Sequence, residues 1–478
     1  MRLKPYLILA GIVQSTILAV PLLATPLAQA APPNLIIVLT DDQGYADVGF
    51  HGCKDIPTPH LDSIASNGVH FPNGYVSYPI CSPSRAGILT GRYGQRFGYE
   101  RNPAWEPDEP TFGVPLSETM LSAVLGKVGY QSGIIGKWHL GGAHPSLHPL
   151  NRGFNEFFGF LGGGHRYFPE DLTLETSDRA EDYYLTWIQR DHTPVKTSKY
   201  LTDEFSDEAV RFVERHKDEP FFLYLAYNAP HAPMQASEKY LSRFPNIKEK
   251  KRRTYAAMIS AVDDGVGQVL AKLRELNLEQ NTLVVYLSDN GGVLEYKAPS
   301  NQPLRGSKNS PYEGGYRVPF AMQWPGQIPP GLVYEQPVIS LDIFATIAAL
   351  AKAPLDPAFP LDGVNLMPYL TGEKSGPPHD AIYLRMYDKG AFAVRSGDYK
   401  LLIADKDSET ELYDLENDIG ESKDLAGTHP EVLENLERKR KVWDAQLIPP
   451  AFNGTSQQKA ARRKEAREKE AREKAARP

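Results

Sequence analysis

The residues best equipped for chemistry stand directly after short apolar runs. Leu35-Ile36-Ile37-Val38-Leu39 leads into Thr40-Asp41-Asp42-Gln43-Gly44, and Gln131 to Ile135 leads into Gly136-Lys137-Trp138-His139-Leu140-Gly141. Phe221 to Tyr227 leads into Asn228-Ala229-Pro230-His231-Ala232-Pro233, and Leu283 to Leu287 into Ser288-Asp289-Asn290-Gly291-Gly292. Asp41, Asp42, Asp289 and Asn290 offer only oxygen atoms, and no histidine or cysteine pairs stand nearby at zinc spacing; such a donor set suits calcium or magnesium. One aspartate after a strand reads as a turn cap, whereas two adjacent ones suggest a cation. A fifth stretch, Cys81-Ser82-Pro83-Ser84-Arg85-Ala86-Gly87-Ile88-Leu89-Thr90-Gly91-Arg92, reads as an extended approach turning into a helix. Pro83 suits the first helical position and Ser82 a cap. Cys81 then lies at a helix N-terminus, where free N–H groups and the dipole favour an anion. Arg85, about one turn on, faces the same point.

These groups need a scaffold that brings them together. Short continuous apolar runs are the mark of strands buried on both faces of a parallel sheet. Leu116, Met120, Leu121, Val124, Leu125 and Val128 fall at helical spacing, as do Tyr255, Met258, Ile259, Val262, Val266, Val269, Leu270 and Leu273. Alternating strands and helices predict a three-layer αβα, mostly parallel sheet. The polar residues then gather at the carboxyl ends of the strands, where open α/β sheets place their ligands. From Pro354 to Leu370 the chain is rich in proline and turn residues. Beyond it, Ala381 to Met386, Gly390 to Ser396, Tyr399 to Ile403 and Thr410 to Asp414 read as short strands, followed by helical spacing over Glu431 to Leu447. The predicted division is a targeting segment over 1–30, a catalytic domain over 31–365, a smaller C-terminal α+β subdomain with an antiparallel sheet over 366–450, and a charged low-complexity tail over 451–478.

The run from Cys81 to Arg92 resembles the signature of the type I sulfatases, C-x-P-S-R followed by x-x-x-L-T-G-R. These are members of the alkaline phosphatase superfamily. Gly136 to Gly141, Leu304-Arg305-Gly306-Ser307-Lys308 and Glu411-Leu412-Tyr413-Asp414-Leu415 resemble further signatures of that family, so the likeness extends from about Pro33 to Leu425. It implies that Cys81 is oxidised after synthesis to Cα-formylglycine (3-oxoalanine) by a formylglycine-generating or sulfatase-maturating enzyme. The hydrated aldehyde would then attack a sulfate ester. It implies one divalent cation, usually Ca2+, held by Asp41, Asp42, Asp289, Asn290 and an oxygen of the modified Cys81. By the same analogy Arg85 holds the hydrate, Lys137 binds sulfate, and His139 assists the diol chemistry. His231 contacts the bridging oxygen and Lys308 completes the cationic set. The chain departs from the family where Lys308-Asn309-Ser310 replaces the common K-G, and no serine matches the one some members place near sulfate. His165, in Gly162-Gly163-Gly164-His165-Arg166-Tyr167, is the candidate for substrate contact in that region.

Composition bounds the rest. With 478 residues, 41% hydrophobic and 23% charged, the chain has ample material for a large core. A net charge of −7 gives no reason to expect nucleic acid as a partner. Arg2 and Lys4, an apolar stretch from Tyr6 to Leu23 and Ala28-Gln29-Ala30 predict a cleaved export signal, hence a periplasmic or secreted protein without stable membrane insertion. The two cysteines, Cys53 and Cys81, read on spacing alone as a disulfide; the signature around Cys81 reverses that reading. The segments Tyr93 to Thr111, Leu161 to Lys199 and Leu294 to Tyr312, with Trp105 and Trp187, are placed to rim the site and stack on sugars. A sulfated saccharide is therefore the expected substrate. The alternatives are a small aryl sulfate, a phosphate ester, or a sulfated glycan bound without turnover.

Overall fold

The computed structural model describes residues 31–104, 106, 108–171 and 186–458, with Met1 and positions 460, 461, 464, 465, 467 and 468. The expected export signal and Trp105 lie outside the described residues. The chain divides into Met1–Ala31 and Pro32–Pro478, and the fold is that of the second unit.

Its centre is a sheet of five parallel strands: β1 (Asn34–Thr40), β2 (Gln131–Lys137), β3 (Glu156–Phe160), β4 (Phe221–Ala226) and β5 (Thr282–Ser288). They lie side by side in the order β5-β1-β4-β2-β3. An antiparallel strand, β6 (Phe320–Gln323), continues the sheet beyond β5, and short two-residue strands extend both edges to ten. Successive side chains of a strand point to opposite faces, so an all-apolar strand must be covered twice. On one face Leu35, Ile37 and Leu39 of β1 join a core with α1 (Cys81–Thr90) and a later helix, Leu341–Leu350. On the other face Ile36 and Val38 pack with α2 (Leu201–Arg215) and α3 (Lys250–Glu275). The result is the expected αβα layering.

The chain then forms an antiparallel sheet of four strands in sequence order, β7 (Ile382–Met386), β8 (Ala391–Ser396), β9 (Tyr399–Ile403) and β10 (Thr410–Asp414). The helix Pro430–Asp444 seats Leu436 against Val394, Leu401 and Leu412. A buried charge cluster ties this sheet to the short helix Glu313–Tyr316 that precedes β6. Lys400 Nζ of β9 lies 2.9 Å from Glu313 Oε1 and 2.7 Å from Glu421 Oε1.

Two local readings are corrected. The helix expected from Leu116 begins only at Leu121; Met120 is extended and Leu116 is 57% exposed, so the helical spacing there reflects a turn feeding a short helix. α1 starts at Cys81 rather than Pro83, with Ile80 as its extended N-cap. Ser82 does not cap it, because its hydroxyl donates instead to the His139 carbonyl at 2.6 Å and pairs with the Tyr99 hydroxyl at 2.8 Å. Gly91, in the left-handed region, closes the helix by donating to Gly87 O.

Candidate functional site

The four strand ends and the start of α1 converge. β1 lies between β5 and β4, so Asp41 and Asp42 have Asp289 on one side and the His231 loop on the other. Adjacent aspartates on a strand would diverge, but Asp42 adopts a φ of 65°, which breaks the alternation and lets both carboxylates face one point. Its N–H is donated to Asp289 Oδ1 at 3.3 Å. Among the described residues, Asp41, Asp42, Cys81 and His231 place ligand atoms all within 4.8 Å of one another. His231 was not foreseen in that grouping. Asn290 donates its amide to Asp42 Oδ1 at 2.7 Å, while its Oδ1 is buried with no hydrogen-bond partner among the described residues.

The cations interleave with these acids. Arg85, fully buried, holds Asp289 Oδ2 through Nε and Nη2, both at 2.8 Å, and donates Nη1 to the Lys137 carbonyl at 3.1 Å. Lys137 Nζ meets Asp41 Oδ2 at 2.7 Å. β2 runs two residues further than the apolar pattern alone marks, which carries Lys137 into the site as the strand's last residue. Lys308 Nζ lies 2.5 Å from Asp42 Oδ1 and 3.0 Å from Cys81 Sγ. The His231 ring approaches Asp42 Oδ2 at 3.6 Å. Three buried carboxylates in one place require such compensation, because an unpaired buried charge is costly.

The electrostatics separate the groups. Burial raises the pKa of Asp41, but Lys137, His231, Arg85 and Lys308 outweigh it and hold Asp41 well below the usual carboxylate range. Burial and the Asp41 charge push Asp289 up to about 6. Burial and the same charge push the Cys81 thiol up to about 12, so an unmodified Cys81 is a thiol near neutral pH and a poor nucleophile. Burial lowers His139 and His231 below the ordinary histidine value. The oxygen-rich donors and the orphaned Asn290 Oδ1 fit a hard divalent cation.

A cavity of about 810 Å³ opens onto Asp42, His231 and Lys308. Its walls come from Tyr78 and Ile80, from Glu100 to Asn102, from Val293, Glu295, Tyr296 and Asn309, from Met386, Asp388 and Lys389, and from Thr455 to Gln457. Two of the three expected rim segments contribute, but the described part of Leu161 to Lys199 does not, and neither does Trp187. The expectation for His165 is corrected. It is buried, and its Nε2 and Nδ1 lie 2.7 and 3.0 Å from the carbonyl oxygens of Thr186 and Arg166, so it organises its own loop rather than facing the cavity. Cys53 and Cys81 are both free.

The family model described as Sulfatase matches residues 33–353. The chain belongs to the sulfatase family. A second model, described as N-sulphoglucosamine sulphohydrolase, C-terminal, matches residues 307–444 of this sulfatase. Human N-acetylgalactosamine-6-sulfatase is 38% identical over 356 residues, covering 71% of this chain and 66% of that relative's length. Human arylsulfatase A is 33% identical over 481 residues, covering 91% of this chain and 92% of the relative. The crystal structure of Ps i-CgsB in complex with k-i-k-neocarrahexaose is similar with a TM-score of 0.84 at 39% identity, covering 91% of this chain and 98% of that one.

Proposed function

We propose that this sulfatase is a sulfuric ester hydrolase that removes sulfate from a sulfated carbohydrate, with Cys81 converted to formylglycine as the source of the nucleophile. The observation that carries this reading is the position of Cys81. It is 1% exposed, sits in the first turn of α1 between Asp41 and Lys308, and adjoins a cavity large enough for a whole organic ligand. Hydrated, the aldehyde supplies a geminal diol, one hydroxyl of which attacks sulfur while the other later expels sulfate. Asp41, Asp42, Asp289 and Asn290 would hold a calcium ion, which when bound neutralises the carboxylates and draws charge from the sulfuryl oxygens.

The remaining work falls to the chain's own residues. Lys137, Lys308 and Arg85 bring fixed positive charge to a water-poor wall, where a sulfuryl group's developing charge is stabilised most strongly. Arg85, locked between Asp289 and the Lys137 carbonyl, orients position 81. His139, kept neutral by burial, is suited to accept a proton from the hydrate, and His231, at the cavity face, to protonate the departing alcohol oxygen. Ps i-CgsB, solved with a saccharide, supports a carbohydrate substrate. The reading includes export through residues 1–30, maturation by a formylglycine-generating or sulfatase-maturating enzyme, and the division into a 31–365 catalytic domain, a 366–450 subdomain and a 451–478 tail. No described helix is long and apolar enough to cross a membrane.

Peptide mapping at position 81, combined with desulfation assays across sulfated oligosaccharides and simple aryl sulfates, tests this. Formylglycine at 81 with sulfate released from saccharides is expected. A protein carrying the aldehyde that is inert toward every sulfate ester would overturn the enzyme reading, and turnover of aryl sulfates alone would overturn the carbohydrate assignment.

A further inference from the structure

The two family models end at residues 353 and 444, yet the cavity wall includes Thr455, Ser456 and Gln457. This stretch follows the helix Pro430–Asp444 and is strapped back across the molecule. Ala451 N–H donates to Gly98 O at 2.9 Å and Thr455 N–H to Asn102 O at 3.0 Å. Phe452 is buried with its ring 5.4 Å from that of Tyr99 and 5.5 Å from that of Phe112. Arg101 is the knot. Its Nη1 donates to Phe452 O at 2.7 Å, and its Nε and Nη2 grip the Asp388 carboxylate at 2.9 and 2.5 Å. Gln457 Nε2 reaches the same carboxylate at 2.5 Å. Three segments distant in sequence are thereby fixed into one wall, and a wall held by buried and bidentate contacts is preorganised for a ligand.

We infer that the strap Ala451–Gln458 is a specificity wall that receives a sugar unit beyond the sulfated one, through the hydroxyl and amide groups of Ser456 and Gln457. This rests on the proposed sulfated-carbohydrate reading and adds a determinant from outside both family matches. A sulfate group fills a small part of a cavity of about 810 Å³; on this side the remaining volume is bounded by the neutral hydrogen-bonding side chains of Thr455, Ser456 and Gln457, beside the charged Arg101, Asp388 and Lys389. The strap's neutral donors and acceptors match sugar hydroxyls, while Arg101 is committed to Asp388 and Lys389 Nζ donates to the Asn309 carbonyl. Ser456 is exposed, so enlarging it changes the cavity without disturbing the strap's anchors.

The test is binding of a sulfated monosaccharide and of a tetrasaccharide ending in the same sulfated sugar, by calorimetry, to the full chain carrying Cys81→Ala, with and without Ser456→Trp. Circular dichroism and thermal melting confirm that the variants fold. The tryptophan is expected to weaken tetrasaccharide binding at least tenfold and monosaccharide binding less than twofold. A second variant, Gln457→Glu, sets a carboxylate beside Asp388 and is expected to weaken the anionic tetrasaccharide several-fold, with the loss shrinking in high salt. Equal effects on both ligand sizes, no effect on either, or no binding of any tetrasaccharide to the Ser456 protein would overturn the inference. Sulfate release by the Cys81 protein is measured separately, so failure of the hydrolase reading is seen independently of the strap.

Discussion

Replacing Lys400 by methionine removes the charge that joins the C-terminal sheet to the loop carrying Lys308. Lys400 Nζ, 0% exposed, serves Glu313 Oε1 at 2.9 Å, Glu421 Oε1 at 2.7 Å and the Pro311 carbonyl at 3.0 Å. Both glutamates are also 0% exposed at the side chain. Methionine nearly matches lysine in volume, so the chief loss is electrostatic. Glu313 keeps Arg317 at 3.3 Å and the Tyr75 hydroxyl at 2.5 Å, but Glu421 loses its cation. Stranding a buried carboxylate costs about 3–5 kcal/mol. With an unfolding entropy of about 1 kcal/mol per kelvin for a chain of this length, the melting temperature should fall by about 3–5 °C at pH 7.5. The sign with pH follows. In the native protein burial raises Glu313, but Lys400, Arg317 and Arg395 bring it down to about 2, while burial keeps Glu421 raised. Without Lys400 both carboxyls move upward, so the folded state binds protons more readily than the unfolded one. A carboxyl raised in this way contributes its stability below its unfolded pKa and loses it as pH rises through the folded value. The deficit should therefore shrink toward pH 5. Adding Glu421→Gln to Lys400→Met should recover at least half of it. Differential scanning fluorimetry at pH 5 and 7.5 reads all of these. A shift under 1 °C at pH 7.5, or the same deficit at both pH values, would refute the reasoning.

Asp289→Ala should abolish bound calcium, read by elemental mass spectrometry, and lower turnover by on the order of 10³-fold, since it also frees Arg85 from its two 2.8 Å contacts; normal calcium with full activity would displace the site. Gly136→Ala should give a protein that melts far lower or fails to accumulate, because a Cβ there would meet Ala226 O at 1.9 Å at a φ of +107°; a strained backbone and clash of this kind cost on the order of 3 kcal/mol or more. Asp263 is pushed up to about 7, chiefly by burial, while its Oδ1 accepts the N–H groups of His60 and Leu61. Its folded pKa exceeds the unfolded one, so its favourable contribution fades as pH rises through 7, and Asp263→Asn should be more stable than the parent at pH 8.5, by on the order of 2 kcal/mol, with the gain shrinking as pH falls below 7; thermal melts at pH 8.5 and 5 decide it. Thiol titration of the unfolded, matured protein should count one cysteine, Cys53, and the recovery of a Cys53–Cys81 bridged peptide would contradict the free thiols of the structure.

Some errors in reading the chain share a cause. Ser82 has the chemistry of a helix cap, yet its hydroxyl is taken by the carbonyl of His139, a residue 57 positions away. His165 has the chemistry of a ligand contact, yet two carbonyls of its own loop claim its ring. In both, local propensity was overridden by a partner that only the folded chain supplies. Thr455 to Gln457 read as the start of a solvated tail because no apolar period marks them. Phe452, between Tyr99 and Phe112, is the aromatic anchor of this stretch, its main-chain ties being hydrogen bonds to residues about 350 positions away, and one aromatic residue leaves no periodic signal.

By itself, the sequence determined which segments become buried strands and which residues stand at their ends. Burial on two faces demands unbroken apolar runs, and those runs stop where polar residues can no longer be covered; Asp41, Lys137, His231 and Asp289 are therefore legible without a structure. Only the tertiary structure decided who meets whom. Strand pairing joins segments such as Asn34–Thr40 and Thr282–Ser288, about 250 residues apart, through backbone hydrogen bonds that carry no side-chain code. The order β5-β1-β4-β2-β3 puts the Asp41-Asp42 turn between Asp289 and His231, and packing of the C-terminal sheet brings Asp388, Lys389 and the strap over the cavity. Those contacts arise from the summed burial of both faces of the sheet, a property of the whole chain that no single window of residues contains.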